Sequence, residues 1–196
     1  MLHQEIIGAP LTIWLAPVGT AFPAVNVAPS GSWTLLGTSG DENYSEEGVQ
    51  VTHAQTLNQV FTAGSTGARK VFRSRESFKL GVTLLDMTLA QYGVVLGTVS
   101  TVAPGAGTIG TKKVGLSRGE SVVLYALLAR GPSPYLEGAN GQFEVPVCYQ
   151  SGDPRPTFSK GNPAGLALEF EALEDPAAAS EAERFGRLIA QHAAAL

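Results

Sequence analysis

The sequence predicts a mainly β fold: a β-sandwich or barrel with one long hairpin, one inserted helix and a second helix at the C-terminal end. Three observations carry this. Segment after segment alternates apolar and polar residues, the pattern of half-buried strands. Glycine is abundant, 23 of 196 residues, and gathers in turn-like stretches. Helical periodicity is confined to residues 87–96 and 175–196. No internal repeat is present.

The elements read as follows. "APLTIWLAP" (9–17) sets Leu11, Ile13 and Leu15 against Thr12 and Trp14. Residues 18–32 form a Pro/Gly/Ser loop. "WTLLGTSGDENYSEEG" (33–48) starts as a short strand and becomes an acidic loop. Residues 49–61 alternate, with Val49, Val51, His53, Gln55, Leu57, Gln59 and Phe61 on one side. The other side carries Gln50, Thr52, Ala54, Thr56, Asn58 and Val60. Neither face is properly apolar, which is unusual for a half-buried strand. "TAGSTGARK" (62–70) is a turn. In "VFRSRESFKLGVTLL" (71–85), Phe72, Phe78, Leu80, Val82 and Leu84 share one face, and Arg73, Arg75 and Lys79 the other. Residues 49–85 thus make a long antiparallel hairpin with a glycine-containing tip.

Asp86 reads as the N-cap of a helix over 87–96, with Gly97 at its end. Residues 98–120 are a Gly/Thr-rich connection with room for a short strand. Three strands follow, with Val122, Leu124, Ala126 and Leu128 on one face of 121–131. Phe143, Val145, Val147 and Tyr149 alternate in 141–152, and Leu166, Leu168, Phe170 and Ala172 in 165–175. Asp175 and Pro176 then suit the N-cap and first position of a C-terminal helix whose narrow apolar stripe is Phe185, Leu188 and Ile189. The organisation is a β domain over 1–174 and a helical extension over 175–196.

Composition bounds the function. The charged content is 15 %, against about 25 % in an average soluble domain; such a surface suits contact with other protein. The net charge of −4 argues against sequence-independent DNA binding, which needs a basic footprint. Cys148 is the sole cysteine, so no intrachain disulfide is possible, and it reads as a small buried hydrophobe. No apolar run is long enough to span a bilayer, and the first residues lack the basic leader of a signal peptide. Insertion of this chain into a membrane is not expected.

Motifs for chemistry are weak. "GAGTIG" (105–110) has the spacing of a dinucleotide fingerprint, but no helical period follows it. "GSTGARK" (64–70) lacks the Gly-Lys-Ser/Thr of a phosphate loop. His3, His53 and His192 are scattered, and no paired Cys or His has zinc spacing. The acids at 41–47 lack the regular spacing of a calcium loop; they suit a solvated loop or pairing with a basic strand of another subunit. No enzyme, cofactor or metal is expected. A polar hairpin of this length is not expected to be stable alone, and its edges invite another strand.

The ordered set "WTLLG" (Trp33–Gly37), "TSGDENYSEEGVQVTHAQTLNQV", "GSTGARKVFRSRESFKLGVTLLD" and "DMTLAQYGVVLG" resembles the tail tube (major tail) proteins of long-tailed bacteriophages. The likeness covers residues 9–97 well and the later strands in outline; the segment from Asp175 has no counterpart in it. The resemblance implies a tail-tube-like β-sandwich subunit that forms hexameric rings, stacked into a tube whose inner barrel is closed by strands from neighbouring subunits. Implied partners are other copies of the chain, tape measure protein and DNA in the lumen, and tail terminator and distal tail or baseplate proteins. Implied localisation is the virion tail, after synthesis in the cytoplasm of the bacterial host. On this reading Asp41, Glu42, Glu46, Glu47, Arg69, Lys70, Arg73 and Arg75 are candidates for contacts between subunits or rings. Gln50, Thr52, Thr56 and Asn58 are candidates for the lumen wall. Two other readings stay open: a tube of a contractile tail or tail-derived bacterial particle, and a carbohydrate- or protein-binding β-sandwich such as an adhesin module.

Overall fold

Alternating sequence becomes strand wherever the apolar set can reach a common core. The computed structural model of the protein describes residues 8, 10–96, 99–102, 110–133, 138–161 and 163–191. Its strands are β1 (Thr12–Pro17), β2 (Thr34–Leu35), β3 (Gln50–Val60), β4 (Lys70–Leu84), β5 (Val99–Val102), β6 (Thr111–Val114), β7 (Leu124–Pro132), β8 (Asn140–Gln150), β9 (Leu166–Ala172) and β10 (Arg187–Ala190). The helix α1 (Leu89–Leu96) follows β4. The fold is mainly β, as the alternation predicts. One antiparallel sheet runs in the order β2-β1-β7-β8-β9-β4-β3, and β5 pairs with β6 apart from it.

The sheet curls round its main core, built from Ile13, Leu15, Phe78, Leu80, Val82, Leu84, Leu127, Val145, Leu166, Leu168 and Phe170. Tyr44 ties the two sides of the curl. Its backbone bridges to Leu84 of β4, while its hydroxyl accepts from Ile13 N of β1 (3.1 Å) and donates to Leu36 O (2.8 Å). β1 and β4 are therefore brought within reach of one tyrosine. A smaller cluster of Ala16, Trp33, Ala126 and Leu128 fills the other face, with Trp14 and Phe22 against it.

Two bulges change which residues share a face. In β8, Pro146 has no N–H to give the ladder, and the β7 pairing jumps from Tyr125↔Cys148 to Leu127↔Val145. Beyond the bulge the buried residue is Cys148, while Val147 and Tyr149 are half-buried. The simple alternation of Phe143, Val145, Val147 and Tyr149 is thus corrected. β7 is apolar on both faces, because Leu127 and Ala129 enter the main core while Ala126 and Leu128 enter the smaller one. Val122, expected inside, is exposed.

Two further expectations are corrected. Residues 175–191 form no α-helix. A 3-10 turn at Glu181–Glu183 leads into β10, which pairs with Gly141–Glu144 of β8. The Ala-rich run offered helix propensity, but β8 had an open edge, and ladder pairing there overrode local preference. The N-cap of α1 is Thr88, whose hydroxyl accepts from Gln91 N at 3.2 Å. The Asp86 carboxylate instead accepts from Thr38 N at 2.6 Å. The loop at 18–32 is pinned: the guanidinium of Arg130 donates to the carbonyls of Val25 and Val27, Gln142 Nε2 to Pro23 O, and Trp33 Nε1 to Ala21 O. Gly97, His3, His192 and all of "GAGTIG" except Gly110 lie outside the described residues.

Candidate assembly surface

β3 and β4 leave the body of the protein as a two-stranded ribbon. β4 pairs with β9 only from Lys79 to Leu84, so its residues 70–78 have a partner on one side alone. β3 is the last strand of the sheet, and its outer edge is open along its whole length. From Thr52 onward every residue of β3 is exposed, as is every residue of β4 from Lys70 to Glu76. The mixed face of β3 covers the core only at its root, where Val49 and Val51 pack against it and the His53 ring lies 4.7 Å from that of Phe78. Farther out the ribbon covers nothing of its own chain.

A bulge at Ser74 reassigns the basic residues. Thr56 pairs with Arg75 but Leu57 with Arg73, so Ser74 is an extra residue and the faces of β4 exchange beyond it. Arg73 therefore lies with Gln55 and Glu76, donating to them at 2.9 and 3.2 Å. It does not share a face with Arg75 and Lys79, and Phe72 lies opposite Asn58 rather than with Phe78. The period of two made the expected assignment, and a bulge is invisible to it. As a result Phe72, 54 % exposed, stands on the same face as Thr56 and Asn58.

That face is polar with balanced charge at its root. Gln50, Thr52, Thr56 and Asn58 stand opposite Gly81, Lys79, Arg75 and Phe72. Lys79 Nζ lies 2.8 Å from Glu169 and 3.5 Å from Glu171 on β9. The hydrogen bond from Lys79 holds the Glu169 carboxyl below its ordinary pKa, and Glu169 in turn holds the ammonium above its own. Arg75 and Lys70 are exposed.

The acids lie at the root of the ribbon. Asp41 is committed within the chain, accepting from the Thr12 hydroxyl at 2.6 Å. Glu47 accepts from Gln50 Nε2 at 3.2 Å. Glu42 and Glu46 are exposed. Arg69 and Lys70 sit at the tip, where Arg69 N closes the turn onto Val60 O. With 11 residues in β3 at ~3.3 Å each, root and tip are roughly 30 Å apart. Acids and tip cations of one chain therefore cannot meet one another. The open β4 edge borders a cleft of ≈ 660 Å³, whose far side carries Glu171, Glu174, Arg184 and Phe185.

Among the described residues no group of three or more His, Cys, Asp or Glu is placed to hold a metal ion. None of their helices is long and apolar enough to cross a membrane. Comparison with protein-family models and with curated proteins finds no match.

Proposed function

We propose that this chain is the tail tube protein of a long-tailed bacteriophage: a structural virion protein that assembles into hexameric rings stacked as a conduit for DNA. The observation that carries the reading is the ribbon. It has two open edges, an exposed polar face and exposed Leu57, Val71 and Phe72; such an element is stable only when its edges are paired. Closure of ribbons from several copies into a barrel removes every edge at once. The partners of this reading are further copies of the chain, tape measure protein and DNA inside, and terminator and distal tail proteins at the ends.

The test is negative-stain microscopy of the purified protein beside its Thr56→Pro variant. The wild type is expected to form rings or tubes. Proline removes a strand donor in the middle of β3, where the ribbon makes no core contact, so the variant should stay monomeric with an almost unchanged melting temperature. Normal tubes from the variant would remove the ribbon from the assembly.

A further inference from the structure

Two segments far apart in sequence are joined through one face of β8. Loop 18–32 reaches that face, and β10 pairs along the strand's edge. Gln142 and Glu144 stand two residues apart in β8, so their side chains share a side of the sheet. The other side carries Phe143 and Val145, which belong to the main core. Gln142 and Glu144 are nevertheless buried, at 0 % and 2 % exposure. A buried amide and a buried carboxylate persist only where hydrogen bonds satisfy them. Those bonds run to the two segments.

Arg187 of β10 stands opposite Glu144 and its Nε donates to Glu144 Oε2 at 2.7 Å. Glu144 Oε1 accepts from Gln142 Nε2 at 2.6 Å. The same Gln142 nitrogen donates to Pro23 O of the loop at 2.9 Å. The line Arg187–Glu144–Gln142–Pro23 thus passes from β10 to the loop without a break. A second line runs one step along the same strand. Gln191, just past β10, exchanges bonds with the Asn140 backbone at 2.7 and 3.0 Å, and Asn140 Nδ2 reaches Val25 O at 3.5 Å. Arg130 of β7 grips this stretch of loop as well, donating to the carbonyls of Val25 and Val27.

Links in series fail together. If β10 leaves, Glu144 loses the one cation it pairs with among the described residues, and a buried carboxylate without its cation is costly. It gains by turning to water, which draws Gln142 away from Pro23 O. If the loop leaves, water reaches Gln142 and Glu144, and Arg187 has less reason to hold β10 down. Buried hydrogen-bond networks of this kind are worth more together than link by link. We propose that loop 18–32 and β10 form one latch, opened and closed together through Gln142 and Glu144. What the latch covers is an edge of β8. β9 takes that edge only at Cys148–Gln150, and β10 takes it at Gly141–Glu144. A partner that lifts the loop therefore bares a strand edge it does not touch, and such an edge accepts another strand. The latch is separate from the ribbon and holds whether or not the chain builds tubes.

Hydrogen exchange on the full chain, read peptide by peptide by mass spectrometry, tests the coupling from both ends. Gly186→Ala loosens β10 and alters no group of the relay. Exchange should rise at least about tenfold in residues 20–28 as well as in 186–191. Arg130→Met frees the loop at Val25 and Val27 and leaves Arg187, Glu144 and Gln142 in place. It should speed exchange in 186–191 by a similar factor, because coupling between two sites is reciprocal. A rise confined to 186–191 in the first variant, or to 20–28 in the second, would overturn the latch. The wild type gives a test that needs no variant. In rising sub-denaturing urea, 20–28 and 186–191 should open with one shared dependence, ahead of β9. Two separate dependences would overturn the proposal as well.

Discussion

Tyr44 shows how much one side chain does in this fold. It is 7 % exposed, and its hydroxyl satisfies the buried Ile13 N–H and donates to the Leu36 carbonyl. Burial pushes its phenol up to about 12 from 10.0. A tyrosine that keeps its proton longer in the folded state contributes stability that is fully present below pH 10. That contribution is lost as pH rises towards 12, because the unfolded chain releases the proton first. Two units correspond to at most about 3 kcal/mol. Cys148, raised from 9.0 to about 12 by burial, acts in the same direction from pH 9 upward. Tyr44→Phe orphans both backbone partners and should cost about 1–3 kcal/mol at pH 7. The variant should also lose less stability than the wild type between pH 10 and 11. Urea titrations at pH 7, 10 and 11 measure both effects, and an equal alkaline loss in the two proteins would take the pH sensitivity away from Tyr44.

Among the elements, β10 depends most on a single residue. Gly186 has φ +116°, and a Cβ there would lie 2.0 Å from Glu144 O. Gly186→Ala adds about 1–3 kcal/mol of backbone strain to that clash and should lift β10 off β8. Glu144, 2 % exposed, would then lose its 2.7 Å bond from Arg187. Hydrogen exchange should show loss of protection at Gly141–Glu144 with β9 unaffected; full protection would mean that β10 is held from elsewhere. The sequence marks this segment poorly, and the reason is physical. Asp175 and Pro176 do open a turn, in which Asp175 Oδ1 accepts from Ala177 N, but a turn and a helix start share these signals. Phe185 and Leu188 were legible as apolar. The strands themselves were legible, since β1, β4 and β9 bury alternate residues near the core. What alternation could not carry was the pair of bulges at Pro146 and Ser74, which decide the faces of Cys148 and Arg73. Alternation did place Gln50, Thr52, Thr56 and Asn58 together on one exposed face of β3. Asp41 instead serves its own chain through Thr12.

At the scale of the whole molecule, charge separates a conduit from a DNA trap. Acids at the ribbon root and cations at its tip can meet only between copies, and exposed pairs are each worth about 0–1 kcal/mol. Reversing Glu42, Glu46 and Glu47 together to Lys, with Asp41 spared, should therefore shorten tubes seen by microscopy while leaving the monomer folded. Full-length tubes at low and high salt would show that these acids take no part in stacking. The inner wall makes a sharper demand. In the proposed tube, six copies at −4 each would carry a formal −24, but the wall would see only the face that lines it. On the candidate face, Gln50, Thr52, Thr56 and Asn58 are neutral, and Lys79 is answered by Glu169 and Glu171. Arg75 and Lys70 remain. Wild-type tubes, with two carboxylates set against the three cations of this face, should therefore hold double-stranded DNA more weakly than tubes without those carboxylates at ~0.15 M salt, where screening acts within about 8 Å. Glu169→Gln with Glu171→Gln leaves Lys79 uncompensated on the face that also carries Arg75 and Lys70. Tubes of that variant should bind DNA at low salt and release it as salt rises, the signature of displaced counterions. Equal retention by wild type and variant at every salt would place a different face of the ribbon against the DNA.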